Sequence, residues 1–278
     1  MDRAYKIITT EDSTKSIFSE EYQQAMHSVS GAYNEALFKH VLPSGILDFD
    51  SRELFVLDVG SGIGYNILAL IFEFQKKKFP AKLKIVSLEK DFSFLPLMEN
   101  IHFGDERDDI YAGIKEAFKN GNCKNNYFDI EIKRGDARLT ITSIDNLSFD
   151  AVFHDPYSPA KNPELWSVQF FLEVRRLTAA RGVLTTYSSA PQIRSALLEA
   201  GFRIGKGPSV GKKREGTLAS VSGQIQYLND EEISDLRNNI KSVPYRDHDL
   251  KGGREKILQE RIDEMRIIRS RENPQAHR

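Results

Sequence analysis

A glycine-rich turn after a buried strand is the feature that most restricts how this chain can fold. An apolar run carries a single acid, Asp58, and glycines follow at three alternating positions, Gly60, Gly62 and Gly64. Glycine adopts positive φ without strain and lets the backbone approach a ligand closely. A helix is predicted to follow at 65–77. A strand, a tight turn and a helix in this order form the repeating unit of a parallel sheet.

The same alternation of strand and helix continues through most of the chain. Further apolar strands are predicted at 83–88, 128–133, 149–154 and 182–187. Helices are predicted between and after them, at 92–102, 105–119, 164–177 and 191–200. An antiparallel pair, 202–204 with 217–221, is predicted to close the sheet. This order predicts a doubly wound, Rossmann-like α/β fold with a seven-stranded, mostly parallel sheet.

Two extensions are predicted to flank this core, which we place at 51–223. Residues 1–50 show no strand alternation, and a helix is predicted there from about Ser19 to His40. The basis is a set of apolar residues at helical spacing, namely Tyr22, Met26, Val29, Tyr33, Leu37 and Val41. Residues 224–278 are predicted to be a second helical extension, whose amphipathic helix around 257–268 packs back on the core.

Composition excludes several classes of protein. The net charge is −1, so any nucleic-acid contact has to come from a local basic patch. The one cysteine, Cys123, rules out an internal disulfide and a cysteine-based zinc site. The first residues lack the apolar core of a signal peptide, and the longest apolar run is too short to span a bilayer. We therefore expect a cytoplasmic protein without a membrane contact.

The residues around the glycine turn discriminate between three kinds of ligand site. A dinucleotide fingerprint needs a further glycine where this chain has Tyr65, and the Gly-Lys-Ser/Thr of a phosphate loop is absent. The spacing Gly-x-Gly-x-Gly after an acid instead resembles that of S-adenosyl-L-methionine-dependent methyltransferases. We therefore predict that Asp58, the three glycines and Asn66 contact this cofactor. The alternative is a turn that serves chain geometry alone.

Two more acids stand at predicted strand ends. Glu89 ends the second strand, where an acid can accept both hydroxyls of a ribose. The alternative is a solvated surface glutamate. Asp136 follows the third strand, and it resembles the methyltransferase acid that accepts from the adenine amino group. The alternative for Asp136 is a helix N-cap, and both roles can hold together.

The fourth strand leads into Asp155, Pro156 and Tyr157, and a proline-rich stretch then extends to Trp166. Prolines stiffen such a stretch into a fixed loop. The start resembles the Asp-Pro-Pro-Tyr signature of methyltransferases that act on exocyclic amines of bases, with one proline missing. A carboxylate there can accept the N–H of an attacking amine, and a tyrosine can stack on a base. The alternatives are that Asp155 caps a turn and that Tyr157 only packs; Trp166 is expected to be structural.

A fifth candidate site is a basic loop near the predicted closing pair of strands. Residues 203–214 contain five basic residues, several glycines and no acid. A flexible basic loop is a candidate contact for a phosphate backbone, so Lys212, Lys213 and Arg214 are predicted to bind RNA. Lys161, in the proline-rich stretch, is predicted to contact substrate or RNA as well. A solvated loop is the alternative.

Together these segments resemble one family, the MnmC-type methyltransferases that make 5-methylaminomethyluridine from 5-aminomethyluridine at the tRNA wobble position. The match covers most of residues 9–220 in the same order, and the string Pro-Ala-Lys-Asn-Pro-Glu-Leu-Trp is its most specific part. The resemblance implies a class I methyltransferase fold, with Asp155 placed where the methyl donor and the amine meet. It also implies Glu89 and Asp136 as ribose and adenine contacts, and tRNA as the partner of the basic loop. Pro156 and Tyr157 depart from the small residue and phenylalanine of many relatives.

Many members of that family continue into a flavin-dependent oxidoreductase. No second glycine fingerprint occurs here, so we expect the stand-alone form, without flavin and supplied by a separate enzyme that installs the aminomethyl group. No metal is expected, because the leaving group of a sulfonium drives methyl transfer. The alternatives are a methyltransferase for another nucleic-acid amine or a small-molecule amine, and a nucleoside-binding regulator without catalysis.

Overall fold

A central sheet between two layers of helices organises the protein, and a small second sheet covers one end of it. The structure, a computed structural model, describes residues 5–27, 31–77, 81–145, 147–209 and 215–272. The strands are β1 (Tyr5–Thr9), β2 (Lys15–Ser19), β3 (Gln24–Ala25), β4 (Glu53–Val59), β5 (Lys82–Glu89), β6 (Asn122–Lys124), β7 (Phe128–Arg134), β8 (Phe149–His154), β9 (Thr178–Thr186), β10 (Arg203–Lys206) and β11 (Thr217–Ser220).

The central sheet confirms the predicted α/β fold and corrects its strand count. Within the described residues it has eight strands, in the order β10-β11-β9-β8-β4-β5-β7-β6, and not seven. The five from β9 to β7 in this order are parallel, whereas β10, β11 and β6 run antiparallel to their neighbours. The extra strand, β6, is a three-residue edge strand whose two outer residues are exposed. It has no hydrophobic pattern that a sequence could display.

The helices differ from prediction mainly at their ends. They are α1 (Ala32–Ala36), α2 (Tyr65–Lys76), α3 (Leu95–Met98), α4 (Arg107–Asn120), α5 (Ala137–Thr140), α6 (Val168–Leu177), α7 (Pro191–Glu199), α8 (Asp230–Asn238) and α9 (Arg254–Glu272). A π-helical segment, Leu37–Val41, continues α1. Short 3₁₀ turns lie at Ile46–Asp48, Ile141–Ser143, Pro163–Trp166 and Ile240–Ser242.

Two helices were misjudged from the sequence. The one expected at 92–102 is reduced to the four residues of α3. The unpredicted α8 begins with a capping box, in which Asn229 and Glu232 each bond the backbone N–H of the other. None of its residues is fully buried, and Ile233 and Leu236 pack partly buried against the core. The described part of 224–272 contains α8, α9 and non-helical segments between and before them. The three predicted domains and their boundaries stay predictions.

The predicted helical N-terminal extension is wrong in its first half. Residues 5–25 form a three-stranded antiparallel sheet, β1-β2-β3, and helix begins only at Ala32. The sequence of β2 does not alternate between polar and apolar residues, because polar residues are buried there beside Ile17. Ser16 and Ser19 are at most 1% exposed. The hydroxyl of Ser16 lies 3.0 Å from Nδ1 of His27. A polar residue that is buried with a hydrogen-bond partner cannot be told from an exposed one by sequence alone. Residues 28–30 of the predicted helix lie outside the described residues.

The register of the parallel strands brings their carboxyl ends to one edge of the sheet. Val59 of β4 pairs with Leu88 of β5 on one side and with His154 of β8 on the other. Glu89 pairs in turn with Arg134 of β7. The residues that follow these strands therefore lie side by side, at the edge where open α/β sheets bind ligands.

Both extensions dock at this edge. The hydroxyl of Tyr65, at the start of α2, donates to the carbonyl of Lys15 in β2 at 2.7 Å. The hydroxyl of Tyr5 in β1 donates to Asp91, just after β5, at 2.6 Å. From the other end of the chain, Ile257 in the first turn of α9 is 1% exposed. Within the described ranges, no helix is both long and apolar enough to cross a membrane.

Candidate active site

A large cavity opens at the carboxyl edge of the sheet, with a volume of about 1010 Å³. Its strand-end wall consists of residues that follow parallel strands, namely Gly60, Gly62, Glu89 and Asp136. Its N-terminal wall comes from the small sheet and α1, namely Tyr22, Gln24, Met26 and Glu35. Asp155 and Tyr157 line the cavity between the two walls.

The glycine turn holds the strand-end wall against the loop that carries Asp155. Gly60 has φ +79°, and a Cβ atom there would lie 2.8 Å from the Cα of Pro156. Because the obstacle is backbone, no rotamer change could make room for it. The N–H of Gly60 donates to the carbonyl of Leu88, and that of Asp155 donates to the carbonyl of Val59. The two loops are thus fixed to each other by main-chain contacts.

Glu89 is oriented by three backbone donors. Its Oε1 accepts from the N–H groups of Lys90 and Asp91 at 2.7 and 2.8 Å, and its Oε2 accepts from Gly62 at 3.0 Å. Burial raises the pKa of Glu89 to about 7, while these three donors act to lower it. The bond from Gly62 joins the glycine turn to the end of β5. Since Glu89 is half-buried and lines the cavity, its side chain is accessible to a ligand there.

Asp136 is a helix N-cap that also lines the cavity. Its Oδ1 accepts from the backbone N–H of Arg138 at 3.0 Å, and its Oδ2 accepts from the guanidinium of Arg138 at 2.7 Å. Burial acts to raise the pKa of Asp136, but the hydrogen bonds from Arg138 hold it below its usual value. Arg138 also donates to Asp247 and to the carbonyl of Gly252, both at 2.8 Å. Arg138 therefore ties the cavity to the segment that leads into α9.

Asp155 lies between two side chains of the protein interior. Its Oδ2 accepts from Nδ2 of Asn66 at 3.2 Å, and its Oδ1 lies 3.6 Å from Nε2 of His40. The side chain of Asp155 is 13% exposed, whereas that of His40 is fully buried. One oxygen is therefore held by an amide donor, and the carboxylate can still be reached from the cavity.

Three of the residues predicted to bind the cofactor lie behind the strand-end wall. Asp58 is fully buried, where it accepts from the hydroxyl of Ser87 at 3.0 Å and from Nδ2 of Asn66 at 3.4 Å. Burial raises the pKa of Asp58 to about 6. Asn66 is 3% exposed, and neither it nor Gly64 lines the cavity. In this structure they support the glycine turn and Asp155 from below; their contact with a cofactor stays a prediction.

Tyr157 is held in an aromatic stack. Its ring lies parallel to that of Tyr22, with centroids 4.1 Å apart, and the guanidinium of Arg254 lies 5.1 Å from the Tyr22 ring. Burial raises the pKa of the Tyr157 hydroxyl. The fully buried Trp166 donates its indole N–H to the carbonyl of Tyr157 at 2.9 Å. Trp166 thus fixes the proline-rich loop from beneath.

The structure describes one of the four predicted RNA contacts. Lys161 is exposed on the proline-rich loop and does not line the cavity. Lys212, Lys213 and Arg214 lie outside the described residues. Among the described residues, His, Cys, Asp and Glu side chains form no group of three that could hold a metal ion.

Several residues near Asp155 were not found from the sequence. Glu35 and Tyr187 line the cavity, and His40 contacts Asp155 from behind. The charges of Asp155 and Glu35 add to burial in raising the pKa of Tyr187, so both carboxylates lie near its hydroxyl. Glu35 and His40 belong to a segment without a motif, and only the docking of α1 on the sheet brings them here. Tyr187 had a usable signal, because it is the last residue of a predicted strand.

Comparison with known proteins places this geometry in a family. Residues 104–222 match the model of a family described as S-adenosyl-L-methionine-dependent methyltransferase. The crystal structure of MnmC2 from Aquifex aeolicus superposes with a TM-score of 0.87 at 30% sequence identity, and the match covers 95% of this chain and 86% of that one.

Sequence relatives agree with this placement. An uncharacterised protein of Methanocaldococcus jannaschii is 34% identical over 260 residues, which is 92% of this chain and 71% of that protein. The tRNA 5-methylaminomethyl-2-thiouridine biosynthesis bifunctional protein MnmC of Azoarcus sp. is 31% identical over 71% of this chain. The match spans only 33% of that bifunctional protein.

The cavity fits the cofactor of the matched family. A carboxylate at the end of β5 suits ribose hydroxyls, and the backbone at Gly60 and Gly62, which lines the cavity, allows close approach. The predicted class I fold, enzyme class and cofactor are confirmed. The chain belongs to the MnmC2 family of S-adenosyl-L-methionine-dependent methyltransferases.

Proposed function

We propose that the protein transfers a methyl group to the primary amine of 5-aminomethyl(-2-thio)uridine at the wobble position of tRNA. The curated MnmC relatives are named for 5-methylaminomethyl-2-thiouridine biosynthesis in tRNA, and the chain resembles their methyltransferase part. The product of the proposed reaction is the 5-methylaminomethyl group in that name.

The position of Asp155 carries the proposal. Its carboxylate lies between the strand-end wall, which suits the cofactor, and the N-terminal wall, and the contact of Gly60 with Pro156 fixes it there. A group that orients the nucleophile has to stand at such a junction, because the amine and the methyl donor meet in line. A cavity of about 1010 Å³ leaves room for a nucleoside beside the cofactor.

Each side chain around the cavity has a separate role in the proposed reaction. The bound cofactor supplies an electrophilic methyl group on its sulfonium. Asp155 accepts an N–H of the substrate amine and directs the lone pair of the nitrogen toward that methyl. Asn66 holds Oδ2 of Asp155, which limits rotation of the carboxylate. Tyr187 donates its hydroxyl to the carbonyl of Pro156 at 2.9 Å and so supports the same loop.

The partners belong to the same proposal. A tRNA anticodon loop would reach the cavity past Lys161, and the loop 210–214 would contact its phosphates. The substrate amine would come from a separate enzyme that installs the aminomethyl group, and the transfer itself would use neither metal nor flavin. We expect the protein to act in the cytoplasm, where tRNA is modified.

The test is methyl transfer by the purified protein. We expect labelled methyl to move from S-adenosyl-L-methionine to tRNA that carries 5-aminomethyluridine, and mass spectrometry of the nucleosides to show a gain of one methyl at that base. The same tRNA without the aminomethyl group is the control. Equal labelling of both tRNAs, or labelling of small amines alone, would contradict the proposed substrate.

A further inference from the structure

A buried histidine from the N-terminal segment stands directly behind Asp155. His40 lies in the π-helical continuation of α1, and its side chain is fully buried. Nδ1 lies 2.9 Å from the hydroxyl oxygen of Thr185 on β9, and Nε2 lies 3.6 Å from Oδ1 of Asp155. No other hydrogen-bond partner of Nε2 occurs among the described residues. The imidazole therefore bridges the sheet and the carboxylate.

The hydrogen-bond pattern assigns the protons of this bridge. The hydroxyl of Thr185 donates to the carbonyl of Val152, at 3.4 Å, so its oxygen accepts from Nδ1–H of His40. In the neutral ring, Nε2 then carries a lone pair and faces an ionised carboxylate. Two acceptors that face each other stay further apart than a hydrogen bond, as the 3.6 Å separation shows. One added proton would convert this contact into a charge-assisted hydrogen bond.

The proposed reaction supplies such a proton. A primary alkyl amine resembles that of lysine, with a pKa of about 10, and so arrives mostly as an ammonium ion at neutral pH. The ammonium has no lone pair and cannot attack a methyl group. One N–H bond has to break, its electron pair stays on the nitrogen, and one proton is released for each methyl transferred. A carboxylate alone is a weak acceptor for that proton, because carboxylic acids are in general much stronger acids than alkylammonium ions.

We propose that His40 is a positioning residue that shares with Asp155 the proton taken from the substrate ammonium. This inference rests on the proposed function. The proton forms an O–H bond with Asp155 and moves onto Nε2, while Nδ1–H stays bonded to Thr185. When the product leaves, the proton returns through Asp155 to water in the cavity, because His40 itself has no exposed surface.

The charged neighbours of the imidazole are few. Asp155 faces Nε2, and Asp58 acts on the ring from the end of β4. His154 on β8 is the other titratable neighbour, and burial lowers its pKa to about 3, so it stays neutral. On its own helix, Lys39 directs its ammonium to the carbonyl of Pro208 at 2.7 Å, and Glu35 lines the cavity. Two acids thus face a ring that gains a proton.

His154 shows what a purely structural histidine looks like in this protein. It is also fully buried, but it packs edge-on against Trp166, with ring centroids 4.6 Å apart, on the other side of β8. Neither ring nitrogen faces a carboxylate, and its pKa is low. The two histidines differ in partner and not in burial, so burial alone does not account for the placement of His40.

The test separates proton sharing from simple support. In His40→Gln the amide can still reach Asp155 but cannot take up a proton. We expect kcat with aminomethyluridine tRNA to fall about 100-fold at pH 7. The deficit should shrink as pH rises toward the pKa of the substrate amine, with KM and cofactor affinity near wild type. Imidazole should restore activity to His40→Gly. The exposed His248 provides the control His248→Gln, which should behave as wild type.

Two results would overturn the inference. One is wild-type kcat in His40→Gln at every pH. The other is a loss that is equal at every pH and is not restored by imidazole. If the wild-type protein does not methylate this tRNA at all, the proposed function fails instead. The pairing is then read without substrate, from the ¹⁵N NMR signals of the two ring nitrogens of His40. Replacing Asp155 with Asn should change the Nε2 signal, and an unchanged Nε2 signal would overturn the inference.

Discussion

The two walls of the cavity are built in different ways. The strand-end wall consists of residues that directly follow β4, β5 and β7, so the register of one parallel sheet is enough to assemble it. The N-terminal wall comes from a small sheet and α1, which reach the cavity only by docking on distant parts of the chain. His40 meets Thr185 across 145 residues, and Lys39 meets Pro208 across 169.

This difference suggests a division of labour. The strand-end wall offers groups that suit a nucleoside cofactor, and its geometry depends on the sheet alone. The segment that supplies the N-terminal wall also supplies His40, which contacts Asp155 from behind. Changes in the first wall should therefore alter cofactor affinity, and changes around Asp155 should alter turnover.

The largest effect is expected at the junction of the walls. Asp155→Asn should lower kcat about 10²- to 10⁴-fold, because the amine loses its proton acceptor. Cofactor affinity, measured by calorimetry, should stay within a few fold of wild type. Asp150→Asn is the matched control, since Asp150 is on β8, the strand that Asp155 directly follows, and its side chain is 14% exposed, against 13% for Asp155. Turnover near the wild-type rate in Asp155→Asn would remove the role assigned to Asp155.

The next effect concerns the link between the strand-end wall and α9. Arg138→Met should destabilise the protein by about 3 kcal/mol, because Asp136 and the buried Asp247 both lose their cation. Chemical denaturation would measure this. Arg266→Met is the control, because Arg266 is 69% exposed and its ion pair contributes little. Equal stability of the two variants would show that Arg138 does not hold α9.

A smaller effect is expected for cofactor binding. Glu89→Gln removes one acceptor oxygen and the charge, so cofactor affinity should fall about 10- to 100-fold, which matches the loss of a hydrogen bond to a charged group. The kcat at saturating cofactor should change much less. Glu131→Gln on the neighbouring strand is the control, because Glu131 is 52% exposed and paired only with Lys133. A loss of kcat without a loss of affinity would reverse the roles of the two walls.

The smallest effect is a dependence of stability on pH. The folded pKa of Asp58 is about 6, above its ordinary value of 3.8, so the folded state binds a proton more tightly than the unfolded state. Ionised Asp58 therefore lowers the free energy of unfolding. This loss is absent below about pH 4, grows as pH rises, and is complete above about pH 6. Relative to wild type, Asp58→Asn should gain about 1–2 kcal/mol between these limits and then level off. Thermal unfolding from pH 4 to 8 measures this, and a gain that shrinks as pH rises would contradict it.

The strand-end wall was predictable because its signals are local. An apolar strand followed by glycines or an acid identifies Gly60, Glu89 and Asp136 from a few neighbouring residues. The same reasoning placed Asp155 correctly at a strand end. The sequence could not predict which residues of the motif line the cavity. Asp58 and Asn66 share the motif, yet the structure buries them behind the turn. A motif fixes the order of residues, and packing decides which of them face the cavity.

The N-terminal wall was not predictable from local pattern. Apolar residues at helical spacing suggested one long helix, but residues 5–25 pair as strands. The sequence does not show these strands, because the polar residues Ser16 and Ser19 are buried in the folded protein. His40 showed no signal, since its partners Thr185 and Asp155 come from β9 and the end of β8. Contacts between residues so far apart depend on the whole topology.

The long-range docking of α1 has a consequence for the order of assembly. The segment that holds His40 is synthesised well before its partners on β9 and at Pro208, which follow it by 145 and 169 residues. Closing a loop of this length has an entropic cost that only the completed sheet can offset. During synthesis, the glycine turn and the end of β5 are complete before Asp155 has been added. The residues proposed to hold the methyl donor are therefore synthesised before the residue proposed to direct the amine.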